Sequence, residues 1–191
     1  MIDQDSSLDK AQQRAAGIAA RRALSMEERR RKSEAIAARI CGTEVFDRAR
    51  IILSYRAMKG EADPSFVDEE AKWLGKEVAY PISLGGGRMV AAVPKRMEKG
   101  MYGIEEPAIE GCRVVAPGEI DLILVPCTAF DERCRRIGMG SGYYDRFLPL
   151  CRRGFSVALA FAVQQQKQVA AEPWDLPLAA VATENAWYAM D

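Results

Sequence analysis

The chain has 191 residues, 49% of them hydrophobic and 28% charged, so it can bury roughly 70% of its unfolded surface, which excludes a disordered chain and removes the need for a disulfide staple. No run of 18 apolar residues occurs, which excludes a spanning helix, and the opening stretch MIDQDSSLDKAQQR lacks a signal-type apolar core, so a cytoplasmic protein without a membrane partner is expected. Lys and Arg total 27 and Asp and Glu total 27, a balance that argues against a nucleic-acid partner.

The balance hides a gradient. Between Lys10 and Lys32 there are eight bases and two acids, and from Glu172 to Asp191 four acids and no bases. Two readings of this are open: solvated helix faces, or an anionic ligand held together with a divalent cation. Residues 8–23 read as a helix with Ala11, Ala15, Ile18 and Ala19 on one face and Lys10, Arg14 and Arg21 on another. Ser25 to Glu28 forms a capping box for a second helix, which carries Ile36, Ala37 and Ile40 as its apolar stripe and stops at Gly42. Short apolar runs follow: strands at 50–56, 76–82 and 89–95, with a helix at 65–74 and a turn at 83–88. The run Asp121–Cys127 is apolar throughout, as in a strand covered on both faces, and residues 155–161 look similar. Leu178 to Ala182 reads as a last short strand. Alternating strands and helices imply an α/β protein, a three-layer sandwich with a largely parallel central sheet, and the span 1–191 reads as a single domain.

The absence of histidine excludes a Ser-His-Asp triad, a Cys-His pair and a histidine base. Cys41, Cys112, Cys127, Cys134 and Cys151 include no CxxC spacing and suit a reducing compartment and ordinary packing. Carboxylates, Lys, Arg, Tyr and backbone amides remain, a set suited to phosphate chemistry, which relies on positioning and charge. The segment after the Asp121–Cys127 strand fits that set. It runs RRIGMGSGYYDRFL from Arg135 to Leu148. Gly138, Gly140 and Gly142 let backbone amides approach a ligand, and a helix start follows them. Arg136 and Arg146 flank the loop as phosphate partners, and Asp145 offers an oxygen that suits magnesium. The loop is neither GxxxxGK[ST] nor GxGxxG, since Tyr143 stands where the latter needs its third glycine.

RIGMGSGYYDRFL, preceded by DLILVPCTAFDERC, resembles the signature of the 5-formyltetrahydrofolate cyclo-ligase (5,10-methenyltetrahydrofolate synthetase) family. KAQQR, RRALSMEER, KGEADP, YGIEEP, LAFAVQ and EPWDLPLAAVATE resemble further segments of that family in the same order, so the likeness spans nearly the whole chain. It implies an enzyme that uses ATP and Mg²⁺ to close 5-formyltetrahydrofolate to 5,10-methenyltetrahydrofolate, releasing ADP and phosphate. It also implies a sheet of the ribose-phosphate isomerase and CoA-transferase type. Carried onto this chain, the resemblance gives Lys10 and Arg14 to the ATP phosphates and Arg136, Gly138, Met139, Gly140, Ser141, Gly142, Tyr143 and Tyr144 to the nucleotide loop. Met139 to Tyr143 are shared with the folate, Glu61 lies near its formyl group, and Tyr80 and Tyr102 wall its rings. Asp145 and Asp175 are the metal contacts, and Glu61, Arg136 and Tyr143 carry the catalysis. A monomer acting on small molecules is expected. Two positions depart from the family pattern: Trp174 replaces a frequent His, and Ser141 replaces a frequent Lys or Gly. A non-catalytic nucleotide- or folate-binding paralogue is the alternative these departures leave.

Overall fold

A computed structural model describes residues 9–58, 60–100, 103–170, 172 and 175–190. Helix α1 (Lys10–Ala23) starts from an Asp9–Gln12 capping box, and α2 (Met26–Cys41) from the Ser25–Glu28 box the sequence announces. Gly42 caps α2 by donating its amide to Ala38 O. A short α3 (Glu44–Arg48) follows, then β1 (Ile51–Leu53), α4 (Ser65–Trp73), β2 (Glu77–Gly85) and β3 (Arg88–Val93). Strands β4 (Met97–Lys99) and β5 (Glu105–Pro107) form a separate hairpin, and β6 (Arg113–Val115) adds to the main sheet. The chain continues through β7 (Leu122–Pro126), the small β8 (Ala129–Phe130) and β9 (Arg136–Ile137) hairpin, and α5 (Tyr143–Phe147). It finishes with β10 (Phe155–Leu159), β11 (Ala180–Ala182) and β12 (Trp187–Ala189).

The main sheet has the order β12-β11-β10-β7-β1-β2-β3-β6. Its five central strands, β11 to β2, are parallel, and the strands at both edges are antiparallel. Side chains alternate across the pleat. Ile52, Val78, Leu124 and Val157 pack under α2, α3 and α4, while Leu53, Ala79, Val125 and Ala158 join Phe147 and Cys151 on the α5 side. Helices on both faces of a mostly parallel sheet make the three-layer α/β arrangement expected. Among the described residues no helix is long and apolar enough to cross a membrane.

Two expectations are corrected. The turn at 83–88 is shorter than its composition implies: β2 runs to Gly85 through a bulge between Ser83 and Gly85, and only Gly86 and Gly87 turn, both at positive φ of 60° and 71°. The second concerns α1. Its alanine face does not pack: Ala11, Ala15 and Ala19 are exposed, and Gln13, Gly17 and Arg21 are buried. The reason is what α1 lies on. It lies on the β8–β9 hairpin and on the 3₁₀ turn Ala162–Gln164 with the chain that follows it, not on an apolar sheet face, and its buried polar side chains meet backbone amides and carbonyls. Gln13 donates to Gln168 O at 2.7 Å and accepts from Ala170 N at 2.8 Å.

The connections fix where a ligand can sit. From β1 the chain crosses by α4 to β2, on one side; from β7 it crosses by α5 to β10, on the other. β1 and β7 are neighbours, so the crossovers diverge between them and open a crevice at their carboxyl ends.

Candidate active site

A cavity of about 800 Å³ occupies that crevice. Its floor is the chain leaving β1 (Tyr55, Arg56, Met58, Glu61) and β7 (Pro126, Cys127, Thr128), with Pro81 and Ser83 of β2 at one end. The glycine loop and α5 close the opposite side, and α1 lies along the top.

The glycine loop is built for close approach. Gly140 and Gly142 take positive φ of 99° and 70°, and Gly142 is the residue before α5, so that helix presents its first amides unsupported by a side-chain cap. Arg146 folds back from α5 and donates to Gly142 O at 3.1 Å and Ser141 O at 3.3 Å, which occupies these two loop carbonyls. Arg14 donates from Nε to Gly138 O at 2.8 Å and so ties α1 to the loop. Arg136 donates to Asp145 Oδ1 at 2.7 Å and lies 5.9 Å from the Tyr144 ring centroid. The Tyr144 hydroxyl is buried and has no hydrogen-bond partner among the described residues. Lys10 is ion-paired with Asp175 at the rim. Burial raises the Asp175 carboxyl, but the Lys10 ammonium and the Glu172 amide outweigh it and hold it below the usual carboxylate range.

Glu61 lies deeper, 8% exposed. One carboxylate oxygen accepts from Met58 N at 2.9 Å, and the other faces Arg21 Nη1 at 3.3 Å. Burial pushes this carboxyl above its ordinary range, opposed by the Met58 amide and Arg21. Burial likewise pushes the Cys127 thiol up to about 12, which removes it as a nucleophile near neutrality.

Of the sequence-expected site residues, Lys10, Arg14, Glu61, Arg136, Gly138 to Asp145 and Asp175 all line this one cavity. Tyr80 does not. It is 1% exposed on the opposite face of β2, where its hydroxyl donates to Asp68 Oδ2 of α4 at 2.7 Å. The cause is strand parity: neighbouring Pro81, not Tyr80, faces the cavity. Tyr102 falls outside the described residues. Sequence reasoning missed Arg21, Arg56, Glu105 and Glu106 as cavity-side groups. Arg21 shares the α1 face of Lys10 and Arg14, which was the available signal; Glu105 and Glu106 lie in the YGIEEP segment, and for Arg56 no pattern in the sequence marks it.

Asp145 and Asp175 are hard oxygen donors on the cavity wall, and no group of three or more Cys, Asp or Glu side chains suited to a metal occurs among the described residues. That donor set fits magnesium, which takes one or two carboxylates and fills its remaining positions with phosphate oxygens and water. It does not fit a cation caged wholly by protein.

A model of the 5-formyltetrahydrofolate cyclo-ligase family matches residues 6–184. The 5-formyltetrahydrofolate cyclo-ligase of Escherichia coli K12 is 28% identical over 172 residues, covering 86% of this chain and 94% of the relative. The mouse 5-formyltetrahydrofolate cyclo-ligase is 26% identical over 182 residues, covering 86% of this chain and 88% of its own. The solved structure of Aquifex aeolicus 5,10-methenyltetrahydrofolate synthetase superposes with a TM-score of 0.83 at 32% identity, covering 94% of this chain and 92% of that one. With a matched span that includes every described cavity residue, the chain belongs to the 5-formyltetrahydrofolate cyclo-ligase family.

Proposed function

We propose that the cavity closes 5-formyltetrahydrofolate to 5,10-methenyltetrahydrofolate at the expense of ATP. The observation that carries this reading is the convergence, in one 800 Å³ space, of a cation-flanked glycine loop at a helix start with a buried carboxylate, Glu61.

An N-formyl oxygen is a poor leaving group, and phosphorylation makes it a good one. The loop amides from Gly138 to Tyr144, with Lys10, Arg14 and Arg136, hold the ATP phosphates and stabilise charge developing on the transferred group. The γ-phosphoryl passes to the formyl oxygen, with ADP leaving. N10 of the bound folate then attacks the activated carbon, its proton passes to the Glu61 carboxylate, and phosphate departs as the five-membered ring closes. Holding N10 beside the formyl carbon turns this into an intramolecular step. Met139 to Tyr143, which line the cavity, are shared between the nucleotide and the folate, with Tyr143 at the reacting groups. Asp145 and Asp175 would hold magnesium, releasing Arg136 and Lys10 from their present ion pairs to the phosphates. The ion supplies charge neutralisation on the phosphate oxygens.

The same reading makes the chain one domain, 1–191, acting as a cytoplasmic monomer on small molecules, without nucleic acid or membrane. The zero net charge supports the absence of a nucleic-acid partner, and a family match that reaches from residue 6 to 184 supports the single domain. The test is growth of the methenyl-folate absorbance on mixing the protein with 5-formyltetrahydrofolate and MgATP, with one phosphate released per product. Growth without ATP, or none with it, contradicts the reading.

A further inference from the structure

We propose that Arg21 is the positioning residue for Glu61, a buried cation that fixes this carboxylate at the cavity floor, where it receives the proton of N10. The proposal deepens the role given to Glu61 above and rests on it.

The geometry is that of a two-point mount. Met58 and Glu61 close a tight turn, with the Glu61 amide donating to Met58 O at 2.9 Å and Glu61 Oε2 accepting from Met58 N at 2.9 Å. That fixes one carboxylate oxygen by its own turn. The other oxygen faces Arg21 Nη1 at 3.3 Å, and the same nitrogen reaches Cys127 O at 3.4 Å. Arg21 therefore spans from α1 to the end of β7 and holds Glu61 between them. The two side chains are only 4% and 6% exposed. An arginine buried this deeply requires a charged partner, because the interior does not solvate an uncompensated cation. Gly60, at φ +88°, shapes the turn, and a Cβ there would sit 3.9 Å from Arg21 Cγ, so the turn and the arginine stem are packed as one unit. Arg21 Nη2 lies 4.0 Å from Met139 Sδ, which places the mount against the glycine loop as well.

The charge around Glu61 gives Arg21 a distinct task. The groups facing Glu61 are Arg21 of α1, Tyr55 after β1, Cys127 after β7 and Tyr144 of α5. Burial pushes both tyrosine hydroxyls and the Cys127 thiol upward, so they are neutral near neutrality and offer the carboxylate no compensating charge. Among the described residues of that set Arg21 is the one cation, against a burial that favours the protonated acid.

The experiment follows the Glu61 carboxyl directly, by carbon NMR of protein labelled at glutamate carboxyl carbons, with the Glu61 signal assigned by its loss in Glu61→Gln. Arg21→Met raises the titration midpoint of that signal by at least one pH unit, a tenfold change in proton affinity. Arg21→Lys, which keeps the charge and the fold, raises it by less. The acidic limb of kcat/KM for 5-formyltetrahydrofolate moves up with the midpoint, while the Kd for MgADP stays within about twofold. An unmoved midpoint in both variants overturns the proposal, as does an activity loss that is uniform across pH. Should Arg21→Met not fold, the Arg21→Lys midpoint decides. Absence of turnover in the unaltered enzyme would instead overturn the reading of the reaction, and it would leave the midpoint readable.

Discussion

Gly17 is the point at which α1 touches the hairpin beneath it, and adding one methyl group there tests how the nucleotide side of the cavity is held. A Cβ at Gly17 would lie 1.9 Å from Thr128 O, 2.8 Å from the Thr128 carbonyl carbon and 3.4 Å from Ala129 Cβ. Two of these three are backbone atoms, so no side chain can swing away. In a helix interior Ala is preferred to Gly by about 1 kcal/mol, so propensity alone makes Gly17→Ala stabilising. Overpacking opposes it at about 1–3 kcal/mol. To bring the closest contact from 1.9 to 3.0 Å, α1 and Thr128 must separate by at least 1.1 Å. A shift of that size takes the 2.8 Å Arg14–Gly138 hydrogen bond out of range and carries Lys10 off the rim. The net stability change is a loss of about 0–2 kcal/mol, a fall in Tm of up to roughly 8 °C for a domain of this size. The kinetic effect is the larger one: misplacing phosphate-binding groups by about 1 Å costs on the order of 100-fold in kcat/KM for ATP. The assay pairs a thermal melt with ATP saturation kinetics. A variant that melts higher, with unchanged kcat/KM, would refute the close docking of α1.

Other substitutions test other parts of the account. Asp145→Asn abolishes turnover while the protein stays folded, with a stability loss of about 1–3 kcal/mol because the partner left behind, Arg136, is only 6% exposed; full activity would take Asp145 out of the metal site. Tyr80→Phe leaves the KM for 5-formyltetrahydrofolate unchanged but costs about 1–3 kcal/mol by stranding Asp68 Oδ2, so a raised KM with normal stability would return Tyr80 to the substrate. Burial holds the Asp68 carboxyl above its ordinary value of 3.8, with the Tyr80 hydroxyl among the groups opposing it. The folded state therefore binds this proton more tightly than the unfolded one, and stability falls as pH rises from 3.8 through the folded value. Asp68→Asn removes that dependence, so the difference in Tm between variant and parent grows in the variant's favour across that window; a difference flat with pH would contradict it.

The frame of the fold was readable because its signals are local. The Ser25–Glu28 box and Gly42 bound α2, and the unbroken apolar run of β7 marks a strand buried on both faces. The glycine loop was readable for a similar reason, since its chemistry lies within one stretch of ten residues from Arg136 to Asp145. What escaped depends on long-range placement. β12 and the strands of the β8–β9 hairpin are two or three residues long, too short for any periodicity, and each pairs with the strand next to it in the chain. The packing face of α1 was misread because alanine content indicates an apolar partner, whereas α1 lies on backbone polar groups: Gly17 meets Thr128 O, Arg21 reaches Cys127 O, and Gln13 pairs with Gln168 O and Ala170 N. Arg21 and Glu61 are 40 residues apart and meet only because α1 and the turn after β1 share the carboxyl end of the sheet. Tyr80 failed by one position in an alternating strand, a shift that composition does not reveal.

The central claim is that the formyl oxygen leaves as part of phosphate, after receiving the γ-phosphoryl group in this cavity. The most direct measurement starts from 5-formyltetrahydrofolate labelled with heavy oxygen in the formyl group, converted with MgATP in ordinary water, with the inorganic phosphate analysed by mass spectrometry. One labelled oxygen per phosphate is the predicted result. Label released to water, with phosphate unlabelled, would contradict it.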